Sequence, residues 1–246
     1  MIPFVSILCS TRGNFNVFCA SLETIIKTTD KKDAEILLKI DSDEDPSKYI
    51  KILIESGFEY KLLIYDRMAG YNDLHMFYTD LCKISVGNML WIFYDDIKIL
   101  TNNWVSELKL IYDIFDDNIV LCAFNVRSIN KYGNFRKNKH GGFTKMRGHK
   151  SLIISRQWFE CYRECLSAIS SIDGYLSFAG SDLHRFLYST NVNISTTITS
   201  KSIINARRQL PYSSIICDTN VDDHVNLIKL YMVDQKVILP DGIEYV

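Results

Sequence analysis

Met89-Leu90-Trp91-Ile92-Phe93-Tyr94-Asp95-Asp96 is the stretch that decides the fold of this chain. An unbroken apolar run, rich in aromatics, passes through Tyr94 and closes on two acids. A short run of this kind reads as a strand covered on both faces, as in parallel sheets. Two adjacent carboxylates at the point where such a strand leaves the core must face water, a cation or both. In open α/β sheets, ligands bind outside the carboxyl ends of the strands. Asp95 and Asp96 are therefore placed to hold a divalent metal and, through it, a phosphate group. The plainer alternative is a turn or capping pair after a strand.

Working outward from this run, the first 115 residues alternate between strand and helix. Val5 to Cys9 reads as a strand and ends in Ser10-Thr11-Arg12-Gly13-Asn14. Phe15 to Thr28 has helical spacing, with Phe15, Phe18, Leu22, Ile25 and Ile26 on one face. Ala34 to Ile40 is a second strand, ending in Asp41-Ser42-Asp43-Glu44-Asp45. Pro46 suits a first helical turn, and Gly57 suits the residue just past the helix end. Tyr60 to Tyr65 is a third strand, ending in Asp66-Arg67. Asp73 is placed to cap a helix carrying Leu74, Phe77, Tyr78 and Leu81. After the acid pair, Ile97 to Leu100 is apolar again. Asn102 or Asn103 is then placed to cap a helix with Trp104, Leu108 and Ile111. Alternation of this kind predicts an α/β fold: a mostly parallel central sheet, Rossmann-like, with right-handed crossovers and helices on its faces.

The second half is less regular. A strand is expected over Asn118–Asn125, a loop over Val126–Gly148 and a short strand over Ser151–Ser155. A helix is expected over Gln157–Ile169, and Asp182–Tyr188 reads as the start of another. Asn193–Thr199 reads as a strand and Val221–Val233 as a helix. No Pro/Ser/Gly-rich linker divides the chain, so residues 1–246 are expected to form one domain. Residues 1–115 would be its nucleotide-binding half and 116–246 its acceptor-binding half.

Composition sets the outer bounds. The formal charge of −1 gives no global attraction for nucleic acid or acidic membranes. No apolar stretch approaches the ~18 residues of a transmembrane helix. Met1-Ile2-Pro3-Phe4-Val5 has no basic region leading into an apolar segment, so no signal peptide is expected. The seven cysteines form no CxxC pair. They read as small buried hydrophobes in a reducing compartment, and a cytoplasmic location is the expectation.

Each of the four strands ends in polar or charged residues: Ser10-Thr11-Arg12, Asp41 with Asp43, Asp66-Arg67, and Asp95-Asp96. In a parallel sheet all four clusters meet on one edge and form a polar cleft. At this point the first 115 residues resemble the nucleotide-sugar-binding half of a GT-A glycosyltransferase, most like glycosyltransferase family 2. The likeness rests on the polar segment after the first strand and on Asp41 at the end of the second. It rests also on Arg67-Met68-Ala69-Gly70-Tyr71-Asn72 before a helix, and on Tyr94-Asp95-Asp96 as a DxD-like acidic motif. Tyr94 stands where the family often has its first acid.

The resemblance implies a metal-dependent glycosyltransferase (hexosyl or pentosyl transfer), with Mn²⁺ or Mg²⁺ as cofactor. The donor would be a nucleotide-diphosphate sugar, with UDP as the expected nucleotide, and the acceptor a hydroxyl. Ser10, Thr11, Arg12, Asp41, Asp43, Arg67, Gly70 and Asp95 would line the donor site. Asp96, with Asp95, would hold the metal, and His224 could be a late ligand. Asp182 would act as general base in an inverting reaction, with Asp173 as the substitute. The bland readings stand beside these. Asp41 and Asp43 suit an ordinary acidic turn, Arg67 a surface ion pair with Asp66, and Asp182 or Ser181 a helix cap. His184 is more simply a surface or packed histidine.

The span from Asn118 to Phe159 has no acidic residue and carries Arg127, Lys131, Arg136, Lys137, Lys139, Lys145, Arg147, Lys150 and Arg156. It reads either as a solvated basic loop or as an anion-facing lid or groove. A phosphorylated glycan, a lipid carrier or a nucleic acid meeting residues 127–156 would each suit the charge. Steep weakening by salt would mark nucleic acid. Two other functions fit the same residues. One is a non-catalytic nucleotide-sugar-binding module. The other is a sugar-phosphate nucleotidyltransferase, against which the single glycine of Ser10–Asn14 argues.

Overall fold

The computed structural model describes residues 2–66, 74–126, 135–137, 143–145, 152–161, 183–196 and 221–245. The front half is β1 (Val5–Ser10), α1 (Phe15–Thr28), β2 (Ala34–Asp41), α2 (Pro46–Ser56), β3 (Glu59–Tyr65), α3 (Leu74–Ile84), β4 (Met89–Tyr94), β5 (Ile97–Ile99) and α4 (Trp104–Tyr112). The back half adds β6 (Leu121–Val126), β7 (Phe135–Lys137), β8 (Phe143–Lys145), β9 (Leu152–Ser155), α5 (Arg156–Cys161), β10 (Phe186–Thr196), α6 (Val221–Lys229) and β11 (Ile243–Tyr245).

A nine-stranded sheet runs in the order β11-β10-β6-β9-β4-β1-β2-β3, with β5 paired to β10. The β3-β2-β1-β4 block is parallel. Alternate residues of each strand face opposite sides, and both sides are covered. Trp91 and Phe93 look toward α1, α2 and α4. Leu90 and Ile92 look toward α3, α5 and α6. This double cover explains why β4 is apolar without alternation. On the first face, Trp91 packs edge-on to Trp104 at 4.7 Å and to Phe124 at 5.4 Å between centroids.

Local signals set several element ends. Asp45 caps α2 by accepting the Ser47 N–H at 3.0 Å, Pro46 opens it, and Gly57 ends it at φ 74° in the left-handed region. Asn103 stands at the N-cap position of α4, as the sequence suggests, but its side chain makes no capping bond. Its backbone is left-handed, and its carbonyl accepts from Ser106 instead. Ile26, counted with the buried face of α1, is 40% exposed.

The back half departs further from the sequence reading. β9 is inserted antiparallel between β4 and β6. The span expected to be loop over 126–148 holds a hairpin, β7 with β8. The helix expected from Asp182 to Tyr188 is absent over its described part. Leu183 and His184 form a turn, and Phe186 already opens β10, which continues to Thr196. Leu183, Phe186 and Leu187 have helical spacing, but parallel pairing with β6 takes the segment into the sheet. No helix among the described residues is long and apolar enough to cross a membrane.

Candidate active site

The carboxyl ends of β1, β2 and β4 lie side by side. Ser10 pairs in register with Lys39 on β2 and with Tyr94 on β4. β1 continues as a ladder one residue further, where the Thr11 N–H meets the Lys39 carbonyl at 3.1 Å. This fixes Thr11 between the two neighbouring strand ends. The buried Thr11 hydroxyl donates to Asp95 Oδ2 at 2.7 Å. From α1, the Ser21 hydroxyl donates to the Asp95 carbonyl at 2.6 Å. Beyond Asp96 the chain enters β5, whose Ile97 is paired with Thr196 of β10. The acidic turn is thus clamped between the sheet centre and the long back strand.

Asp41 ends β2 fully buried. Arg12 Nε donates to its Oδ2 at 2.5 Å, and Lys39 Nζ donates to its Oδ1. Burial pushes the Asp41 carboxyl up, but Lys39 and then Arg12 outweigh it and hold the group below the usual carboxylate range. Asp41 is therefore not an open acceptor in this arrangement. A nucleobase N–H would reach it only with Arg12 displaced.

After Asp41 the chain turns back on itself, with Glu44 N–H on the Asp41 carbonyl at 3.1 Å. This brings Glu44 to the first loop, where its carboxylate accepts the Gly13 N–H at 3.0 Å and the Tyr49 hydroxyl. Gly13 has φ 66°, which favours glycine there. Asn14 holds the N-cap position of α1 yet makes no capping bond, its side chain being hydrogen-bonded to Asp95.

Asp95 is pushed up from the ordinary carboxylate value. Burial is the largest cause, and the charges of Asp96 and Glu44 add to it, while hydrogen bonds from Thr11 and Asn14 oppose it. The Cys9 thiol below is raised by burial and by the same acid pair. An acid held ionised with difficulty among other acids suits a bound cation. The donors are all hard oxygens, which suit Mg²⁺ or Mn²⁺. No group of three or more His, Cys, Asp or Glu residues able to hold a metal occurs among the described residues.

The remaining expected site residues fall less centrally. Asp43 is exposed on the turn after β2. Asp66 is exposed and accepts the Ser42 hydroxyl at 3.1 Å. Arg67, Gly70, Asp173 and Asp182 lie outside the described residues, as does most of the basic span 127–156. His224 belongs to α6, and its side chain is outside the described residues. Arg156 is described, and it leaves the basic run: its guanidinium donates to the Gly87 carbonyl and the Ser85 hydroxyl, each at 2.8 Å, at the opposite edge of the sheet. His184 is exposed in the turn before β10. β10 starts level with Leu90, about 13 Å below the rim at a strand rise of ~3.3 Å per residue. Sequence reasoning missed Lys39 and Glu44. The only trace of Lys39 is one charge between Leu38 and Ile40, two residues before Asp41 and so on the same face.

No protein-family model matches the chain, and no curated protein sequence matches it. Its fold is matched by solved structures. TarS of S. aureus superposes with a TM-score of 0.59 at 11% identity, over 94% of this chain and 43% of its own. GalNAc-T7, solved with UDP, GalNAc and Mn²⁺, gives 0.60 at 12% identity, over 94% of this chain and 55% of its own. The mannosyltransferase PcManGT from Pyrobaculum calidifontis, solved with GDP-Man and Mn²⁺, gives 0.58 at 10% identity, over 94% and 70%. This chain thus spans less than two thirds of the length of the first two. At these identities the likeness establishes the fold, a mixed, mostly parallel GT-A sheet flanked by helices.

Proposed function

We propose that this chain is a metal-dependent glycosyltransferase that moves a sugar from a nucleotide-diphosphate donor, with UDP as the nucleotide, to an acceptor hydroxyl. The observation that carries this reading is the Thr11–Asp95 hydrogen bond. It ties the loop after β1 to the acidic turn after β4, at the strand edge where α/β sheets receive ligands. Two neighbours of the same fold, solved with Mn²⁺ and with a nucleotide or nucleotide sugar, support it.

Asp96 and Asp95 would hold Mn²⁺ or Mg²⁺, with donor phosphates and water completing the oxygen shell. Bound there, the ion would neutralise charge gathering on the departing nucleoside diphosphate. Thr11 and Asn14 orient Asp95, and Arg12 supplies a planar cation suited to phosphate. The start of α1 adds backbone N–H groups to the same rim. Asp41, Asp43, Ser10, Arg67 and Gly70 complete the donor side of the proposal, and His224 is its late metal ligand.

Asp182 is the proposed general base of an inverting transfer, and Asp173 is the substitute. The turn at Leu183–His184, far from the rim, gives Asp173 added weight, because nine more residues of chain give it greater reach. The acceptor side is assigned to the basic span 127–155, with an anionic glycan, lipid carrier or nucleic acid as acceptor. A nucleotide-sugar-binding module without transfer is the second reading, favoured by Tyr94 in place of an acid. Tyr94 is half-buried and packs edge-on to Tyr78 at 6.3 Å.

The test is a thermal-shift and calorimetric titration of UDP and GDP with and without Mn²⁺, followed by assay of sugar transfer. Asp96→Ala should abolish metal-supported nucleotide binding. Asp182→Asn or Asp173→Asn should remove turnover and keep the donor. Full turnover in all three variants would refute these roles. Donor binding without hydrolysis or transfer would favour the binding module.

A further inference from the structure

β2 carries a lysine in its buried interior. The Lys39 side chain is 1% exposed, between Leu38 and Ile40. Its ammonium lies on Asp41 Oδ1, and the Phe77 ring of α3 covers it at 3.7 Å from the centroid. Lysines are almost never this buried unless paired. A buried ion pair is often no more stabilising than apolar residues of the same volume. The needs of the core therefore do not explain Lys39.

Asp41 has two cations for one charge. Lys39 holds one oxygen from inside the sheet, and Arg12 holds the other from the rim, where its side chain is 32% exposed. Only Arg12 can turn toward a ligand. If it were the sole countercharge, its departure would leave a buried carboxylate unpaired, which is strongly disfavoured. With Lys39 in place, Asp41 keeps a countercharge after Arg12 leaves. Among the described residues, three other groups stand near this pair. Glu44 approaches from the turn after β2 and acts on Lys39. Tyr65 is the register partner of Asp41 on β3, and its hydroxyl is engaged by Asp80 of α3. On β1, Ser10 is the register partner of Lys39.

We infer that Lys39 is a positioning residue for the donor site: its ammonium keeps Asp41 ionised and in place so that Arg12 can exchange Asp41 for the nucleotide diphosphate. This rests on the nucleotide-sugar reading. It assigns Arg12 two partners and Lys39 the task of making the exchange feasible.

The experiment titrates UDP and GDP by calorimetry with Mn²⁺ between pH 5 and 8, using wild type, Lys39→Met, Lys39→Arg and the double variant Lys39→Met/Asp41→Asn. Relative to wild type, Lys39→Met should bind more weakly near pH 8 and recover affinity toward pH 5, by up to about tenfold per pH unit below the Asp41 value raised in the complex, because Arg12 then leaves a carboxyl that takes up a proton. Lys39→Arg should track wild type, and the double variant should lose the acid-side recovery. A merely structural lysine would change the melting temperature and leave the pH profile unmoved. In wild type, the Arg12 Nε–H resonance should shift when nucleotide saturates, while the Asp41 carboxyl stays ionised. That measurement decides the matter if Lys39→Met loses its cooperative melt. An unmoved Arg12 resonance, or a Lys39→Met profile parallel to wild type, would overturn the inference and leave the donor reading standing. Failure of wild type to bind either nucleotide would overturn both.

Discussion

Asp117→Ala should be among the most damaging single substitutions in the back half. Asp117 and Arg185 form an ion pair in which each side chain is 4% exposed. Arg185 donates twice, to Oδ1 at 3.1 Å and to Oδ2 at 2.9 Å, and again to the Val233 carbonyl at 3.0 Å. Its guanidinium lies 3.8 Å from the Phe115 ring centroid. Asp117 also accepts the backbone N–H groups of Ile119 at 2.8 Å and Val233 at 2.7 Å. Removing the carboxylate strands a buried guanidinium, which costs about 3–5 kcal/mol. The Val233 N–H is exposed and finds water, so it adds little. In a domain of ~150–250 residues each kcal/mol moves the melting temperature by about 2–4 °C, so a fall near ~10 °C is expected. Replacing both partners by apolar residues, Asp117→Leu with Arg185→Met, should recover most of that loss, because no charge is left unpaired. The effect reaches the site, since Arg185 leads directly into β10 and the far end of β10 holds β5 behind Asp96. Urea melts of the two single variants and the double variant, read as a cycle, are the assay. A loss under about 1 kcal/mol for Asp117→Ala, or no recovery in the double variant, would refute the reasoning.

Three further outcomes follow from the same physics. Gly87→Ala should destabilise by about 1–3 kcal/mol in a denaturant melt, because a Cβ there would stand 2.6 Å from the Ser6 nitrogen; an unchanged melt would show that the strand start can give way. Asp95→Asn should stabilise the metal-free protein at neutral pH by about 1 kcal/mol while removing nucleotide binding, as expected where function opposes stability. The sign follows from its raised folded value: the unfolded chain ionises first, so the penalty on the fold grows as pH rises through the unfolded value and is complete above the folded one. The gain should therefore vanish near pH 3, and a gain equal at both pH values would exclude the charge as its source. Thr11→Val should move the acid limb of Mn²⁺-supported nucleotide binding to higher pH, since it deletes a bond that favours ionised Asp95. An unmoved limb would mean that Thr11 does not tune the acid.

The sequence alone determined the front half of the sheet. Short apolar runs without alternation, bounded by polar turns, read as strands covered on both faces, and Asp45-Pro46 and Gly57 mark the ends of α2 by local chemistry that needs no distant partner. It also determined that polar or charged residues stand at four successive strand ends, three of them with acids, and four strands of one direction bring those ends to one edge. Tertiary structure decided the rest. Only parallel pairing with β6 makes the helically spaced Leu183–Leu187 enter a strand, and only the sheet order places β9 antiparallel beside β4. The state of each acid was likewise illegible, because a pKa depends on neighbours far away in the chain. Asp41 is held by Arg12 from 29 residues away, and Asp95 by Thr11 from 84. Periodicity reports what a residue shares with its own element, whereas the charge on a buried carboxylate is set across elements, where only the folded chain brings the partners together.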